Sequence, residues 1–300
     1  MNPLLGQLLD GVIDYAGLFP PAQLGLEDAF GEFQSLPTDV AWLADLFVCP
    51  SNKLAELDAL ARRKGVDGLA VSVIGNPVES PDKALASFER DIQRMEGCAN
   101  LEFGAYEVRI GHHGEGGVAR SIKALDRSGI LDLVDDAYVE LGWPGGLEDC
   151  LHELAAINPE FGAKARTGGT TADAFPGIEQ LALFIHTAVN IEIPFKMTAG
   201  LHDPLRHWDE SLSVHRHGFL NVCLAGLFAL AADLSTAEIG DILAMESPDA
   251  LELGGEMLIW RGHQADEEAI RLFKDWFGGF GSCSIAEPVD GLKKLGYWTA

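Results

Sequence analysis

Between Ser128 and Leu205 the chain carries only three Lys or Arg residues: Lys164, Arg166 and Lys196. None falls on the helical stretches of that region, where solvent-facing lysines usually sit. All three lie inside short apolar runs that read as strands. A charge in such a strand must be paired or functional, because burying it alone costs several kcal/mol or shifts its pKa. Lysine responds to desolvation and to neighbouring cations by losing its proton more readily. A neutral amine so placed attacks a carbonyl carbon and forms an imine. Two other uses of the pair stay open on the residues alone: acid, base or anion-clamp work, and structural pairing with Glu107 and Glu140.

Further polar residues sit at the ends of apolar runs. Asp14 and Tyr15 end the first. Glu107 and Arg109 share one face of the fourth, since side chains alternate along a strand. Glu140 ends the fifth. Lys164 and Arg166 share a face of the sixth. Lys196 and Thr198 share a face of the seventh, with His202 and Arg206 beyond it. Lys164, Lys196, Glu107 and Glu140 are therefore the expected catalytic set. Asp14, Tyr15, Arg109, Arg166, Thr198, His202 and Arg206 are the expected substrate-binding set. Arg166 followed by Gly168-Gly169 could hold a carboxylate or phosphate through a guanidinium fork and backbone N–H groups. The same glycines would equally serve a turn that needs positive φ.

The elements that must position these residues alternate. Apolar runs at 11–14, 42–48, 68–74, 101–110, 137–141, 161–167 and 194–199 read as strands. Helical spacing covers 54–64, 82–95, 117–128, 147–157 and 176–190. Each strand–helix step takes about 30 residues, as βαβ units do. Nearly all-apolar strands of this kind indicate a parallel sheet covered by helices. The expected fold is α/β, a single (β/α)8 TIM-type barrel spanning 1–300, with its active site at the C-terminal strand ends. The eighth strand is expected at 280–285, followed by a helix at 288–295. That makes 235–279 an insertion, with a helix and a β-hairpin around Gly254-Gly255. The apolar run Phe219–Leu234 reads as a buried helix, too short and broken to span a membrane.

The segment Gly162-Ala-Lys-Ala-Arg-Thr-Gly-Gly169 resembles the sixth-strand Lys-x-x-Thr-Gly motif of the deoxyribose-phosphate aldolase-like class I aldolases. Phe195-Lys-Met-Thr-Ala-Gly200 resembles that family's seventh-strand Lys-x-Ser-Gly-Gly motif. The likeness covers roughly 40 residues. It implies a TIM barrel in which Lys164 forms the Schiff base, Lys196 is the cation that lowers its pKa, and an acidic residue relays protons. Arg166 departs from the small polar residue of the motif, the strand-four aspartate has no clean counterpart, and the Gly-rich phosphate loop after strand eight is not evident. Over nearly its full length the chain also resembles a family of uncharacterised bacterial proteins. The shared marks are Asp14–Pro21, Lys164–Gly169, Pro194–His202 and Phe280–Ser284. That likeness implies no activity.

His112-His113, His202, His207, His215 and His217 raise a second reading, metal-assisted hydrolysis using His202, His215 and His217. Zinc needs three or four converging ligands, and the first strand ends Val12-Ile-Asp-Tyr without a histidine. The preferred reading assigns no metal and no cofactor. A third reading is a barrel that binds a small molecule without chemistry.

Composition bounds the partners. The 300 residues hold 21 Lys and Arg against 46 Asp and Glu, a formal charge of -25. Such a surface excludes non-specific nucleic-acid binding and argues against docking on anionic membranes. It does not exclude an anionic small-molecule substrate, because a pocket can reverse the local sign. Met1–Asp14 has no basic n-region or small-residue cleavage pattern, so no signal peptide is expected. Five scattered cysteines without a CxxC pair fit a reducing cytoplasm. A homo-oligomer is left open.

Overall fold

A computed structural model of the chain describes residues 1–111, 116–143 and 145–298. Eight parallel strands close into a barrel: β1 (Ile13–Tyr15), β2 (Ala44–Pro50), β3 (Leu69–Ile74), β4 (Leu101–Arg109), β5 (Asp136–Glu140), β6 (Phe161–Arg166), β7 (Phe195–Thr198) and β8 (Phe277–Ser282). Each strand pairs with its neighbours in sequence, and β8 closes on β1 through Ile13↔Phe280, Asp14↔Gly281 and Tyr15↔Ser282. A helix follows each strand: α1 (Leu26–Gln34), α2 (Leu54–Lys64), α3 (Pro81–Glu96), α4 (Gly117–Ser128), α5 (Leu147–Ile157), α6 (Ile178–Asn190), α7 (Phe219–Ala232) and α8 (Ala286–Lys294). The fold is therefore the expected (β/α)8 TIM-type barrel.

The outward residues of the strands form the main core with the helices. In β3, Val71 and Val73 are wholly buried on that side, while Ser72 between them turns into the barrel and reaches Glu107. The barrel interior usually holds layers of bulky branched residues. Here its floor is the ring of Tyr138, which needs glycine on β6 beside it and on β8 across the barrel. A Cβ on Gly162 would lie 2.4 Å from the ring, and one on Gly278 would lie 2.1 Å from the hydroxyl oxygen. This explains why β8 begins at Phe277, three residues before the sequence pattern places it. Gly278-Gly279 looks like a turn in the sequence, but Gly278 is the room that Tyr138 occupies.

The segment between α7 and β8 is also richer than a helix and a hairpin. It holds the helix Thr236–Leu243, a three-stranded antiparallel sheet (Leu251–Leu253, Leu258–Trp260, His263–Ala265) and the helix Glu267–Trp276. These pieces pack against α7, which explains why α7 is apolar around its whole circumference. Other elements also have no counterpart in the sequence reading, among them α1 and the short helix Thr38–Ala41 that follows it. The helix Pro3–Leu9 is capped by Asn2, whose Oδ1 accepts from the N–H groups of Leu4 and Leu5. A hairpin of His207–Asp209 and Val214–Arg216 follows β7.

Candidate active site

Parallel pairing lines up four charged residues across four adjacent strands. Arg109 of β4 is in register with Glu140 of β5, Glu140 with Lys164 of β6, and Lys164 with Lys196 of β7. Side-chain alternation then decides what faces inward. Glu107, Tyr138, Lys164 and Lys196 share the barrel interior with Asp14.

The contacts form one continuous chain. Glu107 accepts from Lys164 Nζ through Oε2 at 2.6 Å and from Lys196 Nζ through Oε1 at 3.1 Å. Ser72 Oγ donates to the same Oε1 at 2.6 Å. Lys164 Nζ also lies 3.3 Å from Glu140 Oε2, and Arg166 Nε donates to Glu140 Oε1 at 3.2 Å. Lys196 is paired with Asp14, whose other oxygen accepts from the Leu46 N–H at 3.2 Å. Lys196 Nζ sits 5.3 Å from the centre of the Tyr138 ring. Three carboxylates thus meet three cations. Asp14, Glu107, Glu140, Lys164 and Lys196 are each no more than 7% exposed.

The charges in this network are held unequally. Burial pushes the Glu107 carboxyl up, but Lys164, then Lys196, and the hydrogen bonds from Lys164 and Ser72 hold it well below the usual carboxylate range. Glu140 is lowered too, its burial outweighed by Lys164 and Arg166. Asp14 behaves differently. Burial dominates there, and with only Lys196 to offset it and Glu107 nearby, its pKa rises to about 6. Burial disfavours the Lys196 cation, yet Asp14 and Glu107 together raise its pKa above the ordinary lysine value. Lys196 is therefore a fixed positive charge beside Lys164.

A cavity of about 630 Å³ opens over the C-terminal strand ends. Glu107, Glu140, Lys164, Arg109, Arg166 and Thr198 line it, as does His202. Lys196 and Asp14 lie beneath its floor. Phe19 and Pro20 of the loop after β1 cover one side, and Leu212 and Arg216 of the hairpin cover another. The loops after β6 and β7 meet at Gly168 and Gly200, where a Cβ on Gly168 would lie 2.9 Å from Gly200 Cα. Gly168 is needed for this close approach and not for a positive φ, which Gly200 and Ala199 adopt instead.

Three expected substrate-binding residues are not on the cavity wall: Asp14, which lies beneath its floor, Tyr15 and Arg206. Tyr15 faces α1: its hydroxyl donates to Glu32 and its ring stacks on Phe33 at 5.7 Å. Alternation requires this once Asp14 points inward. Arg206 is absent from the cavity wall; its guanidinium lies 3.7 Å from Glu246. Ser72 and Tyr138 were not singled out from the sequence. Ser72 is the one polar residue in Leu-Ala-Val-Ser-Val-Ile, and Tyr138 shares the parity of Glu140, so strand parity carried both signals.

The histidines do not converge. His202 Nδ1 lies 2.7 Å from Glu287, His215 pairs with Glu246 at 3.4 Å, and the buried His217 Nε2 lies 2.8 Å from the Pro176 carbonyl oxygen. Among the described residues no group of three or more His, Cys, Asp or Glu is placed to hold a metal ion. His112 and His113 lie outside the described residues. Cys283 reaches the cavity wall, but burial raises its thiol pKa, which disfavours the nucleophilic thiolate. Among the described residues no helix is long and apolar enough to cross a membrane. Neither a model of a known protein family nor a curated protein matches the chain, so the site is read from its own geometry.

Proposed function

We propose that this barrel is a Schiff-base enzyme acting on a small carbonyl compound, with Lys164 as the nucleophile in an aldolase-type lyase reaction. The (β/α)8 fold with a cavity at its C-terminal strand ends is compatible with an enzyme. One observation carries the reading: Lys164 is the buried lysine that both opens on the cavity and sits between two carboxylates. Lys196 has no such opening and is held as a cation by Asp14 and Glu107.

The chemistry follows from these contacts. Glu107, the nearer carboxylate, takes a proton from the Lys164 ammonium. The free amine attacks the carbonyl carbon, forming the C–N bond, and the carbonyl oxygen collects a proton. The carbinolamine then loses its oxygen as water, which carries away two of the original ammonium protons and leaves a protonated imine. That cation withdraws electrons from the neighbouring carbon, so a C–H or C–C bond there can break or form. Glu140 is placed to move the proton involved. Lys196 stays charged and disfavours a second ammonium beside it.

Borohydride trapping with a panel of aldehydes and ketones tests this, followed by mass spectrometry of the Lys164 and Lys196 peptides. A reduced adduct on Lys164 is expected, absent from Lys164→Met. No adduct on either lysine, or full turnover by Lys164→Met, overturns the reading.

A further inference from the structure

We infer that Arg109 and Arg166 form a carboxylate clamp beside Lys164, and that the substrate is a 2-oxo acid, with its carboxylate adjacent to the carbonyl carbon. This rests on Lys164 as the amine nucleophile and names the class of carbonyl compound it takes.

The sign of the cavity is the first argument. In a chain of formal charge -25, the cavity wall carries Arg109, Lys164, Arg166 and Arg216 against Glu107 and Glu140. Beneath it the Lys196–Asp14 pair cancels. Arg216 is answered by Asp209. The surplus positive charge is thus concentrated at Arg109 and Arg166.

These two guanidinium groups are also the ones with capacity left. Arg166 is tied to Glu140 through Nε alone, its side chain is 43% exposed, and its terminal nitrogens have no partner among the described residues. Arg109 is exposed and makes no ion pair among the described residues. They flank Glu140 on the two neighbouring strands. A carboxylate entering there meets the planar fork that matches it.

Geometry then limits the length of the ligand. Lys164 and Arg166 are two residues apart on one face of β6, roughly 7 Å between Cα atoms. Their side chains converge, because each holds one oxygen of the single carboxylate of Glu140. A ligand whose anion sits on Arg166 and whose carbonyl carbon meets Lys164 Nζ must keep the two groups close, and adjacency satisfies this.

A phosphate is disfavoured by the opposite side of the cavity. TIM barrels commonly bind phosphate at the loops after strands seven and eight and at a helix N-terminus there. In this chain the N-terminal turn of α8 carries Glu287, whose N–H is taken by Ser284 Oγ at 3.2 Å and whose carboxylate pairs with His202. Ser282 Oγ is likewise spent on the Ser284 carbonyl at 2.7 Å.

The test uses the full chain with pyruvate, butanone as a neutral ketone of similar size, and dihydroxyacetone phosphate. Borohydride trapping on Lys164 is read as a function of ligand concentration, and melting temperature is read with each ligand without borohydride. Pyruvate should trap at a concentration at least about tenfold below butanone, the scale of a charge-assisted hydrogen-bonded pair. Arg166→Met should lower the pyruvate-to-butanone ratio by about tenfold, and Arg166→Lys should restore part of it. Pyruvate should raise the melting temperature of the wild type and not of Arg166→Met. Equal trapping of pyruvate and butanone, an unchanged ratio in Arg166→Met, or tighter trapping of the phosphate overturns the clamp while the imine stands. If no carbonyl is trapped, the imine reading fails and melting alone judges the clamp: a rise lost in Arg166→Met sustains it, and no rise overturns it.

Discussion

Replacing Lys196 by Met should show whether this residue acts as a fixed charge on Lys164. The two lysines are cross-strand partners and bind the two oxygens of one carboxylate. Adjacent strands lie about 5 Å apart. Two positive charges at that separation, at an effective dielectric near 20, repel by about 3 kcal/mol. That energy corresponds to about a hundredfold in an equilibrium or rate. In Lys196→Met the rate of carbonyl trapping on Lys164 at pH 7 should therefore fall by up to about a hundredfold. The variant also strands Asp14, whose pKa is already about 6 with the cation beside it. Breaking a buried pair by removing one partner costs about 3–5 kcal/mol, which urea unfolding at pH 7 should register. Adding Asp14→Asn removes the stranded carboxylate and should recover part of that stability without restoring the trapping rate. A stable Lys196→Met that traps carbonyls on Lys164 at the wild-type rate would refute the electrostatic coupling.

Acid stability should depend on Glu107 and Glu140. Both carboxyls are lowered by the lysine and arginine around them, so their stabilisation is present above the usual carboxylate range and is lost as pH falls below it. Asp14 works the other way, its contribution being full below 3.8 and lost as pH rises through about 6. Glu107→Gln should therefore unfold at lower urea at pH 7 and lose less further stability than the wild type on acidification to about pH 2. Gly168→Ala puts a methyl against Gly200 and should cost about 1–3 kcal/mol by melting, as overpacking does. Tyr15→Phe should lose about 1 kcal/mol with its hydrogen bond to Glu32 and leave Lys164 trapping unchanged.

Much of the barrel was legible in the sequence because its two kinds of element have different periods. Helices α2, α4 and α5 have the bounds that the pattern gives. Their apolar stripes and polar outer faces recur at helical spacing, a local property of the chain. The inward parity of Glu107, Lys164 and Lys196 was legible for the same reason. The β8 start was not, because Gly278 reads as a turn until Tyr138 from another strand is seen to fill its space. The hairpin after β7 was not, because its strands are three residues long, too short to show a period.

The sequence by itself determined that two lysines, an arginine and two glutamates stand on strands of one parity, in a chain otherwise poor in basic residues there. Only the tertiary structure decided how they divide. Closing β8 on β1 brings Asp14 to Lys196, 182 residues away, and fixes that lysine as a cation under the floor. The same closure leaves Lys164 open to the cavity and turns Tyr15 away from it. Parity is set by each strand alone, whereas which charge meets which depends on strand order and register, and those exist only once the barrel is closed.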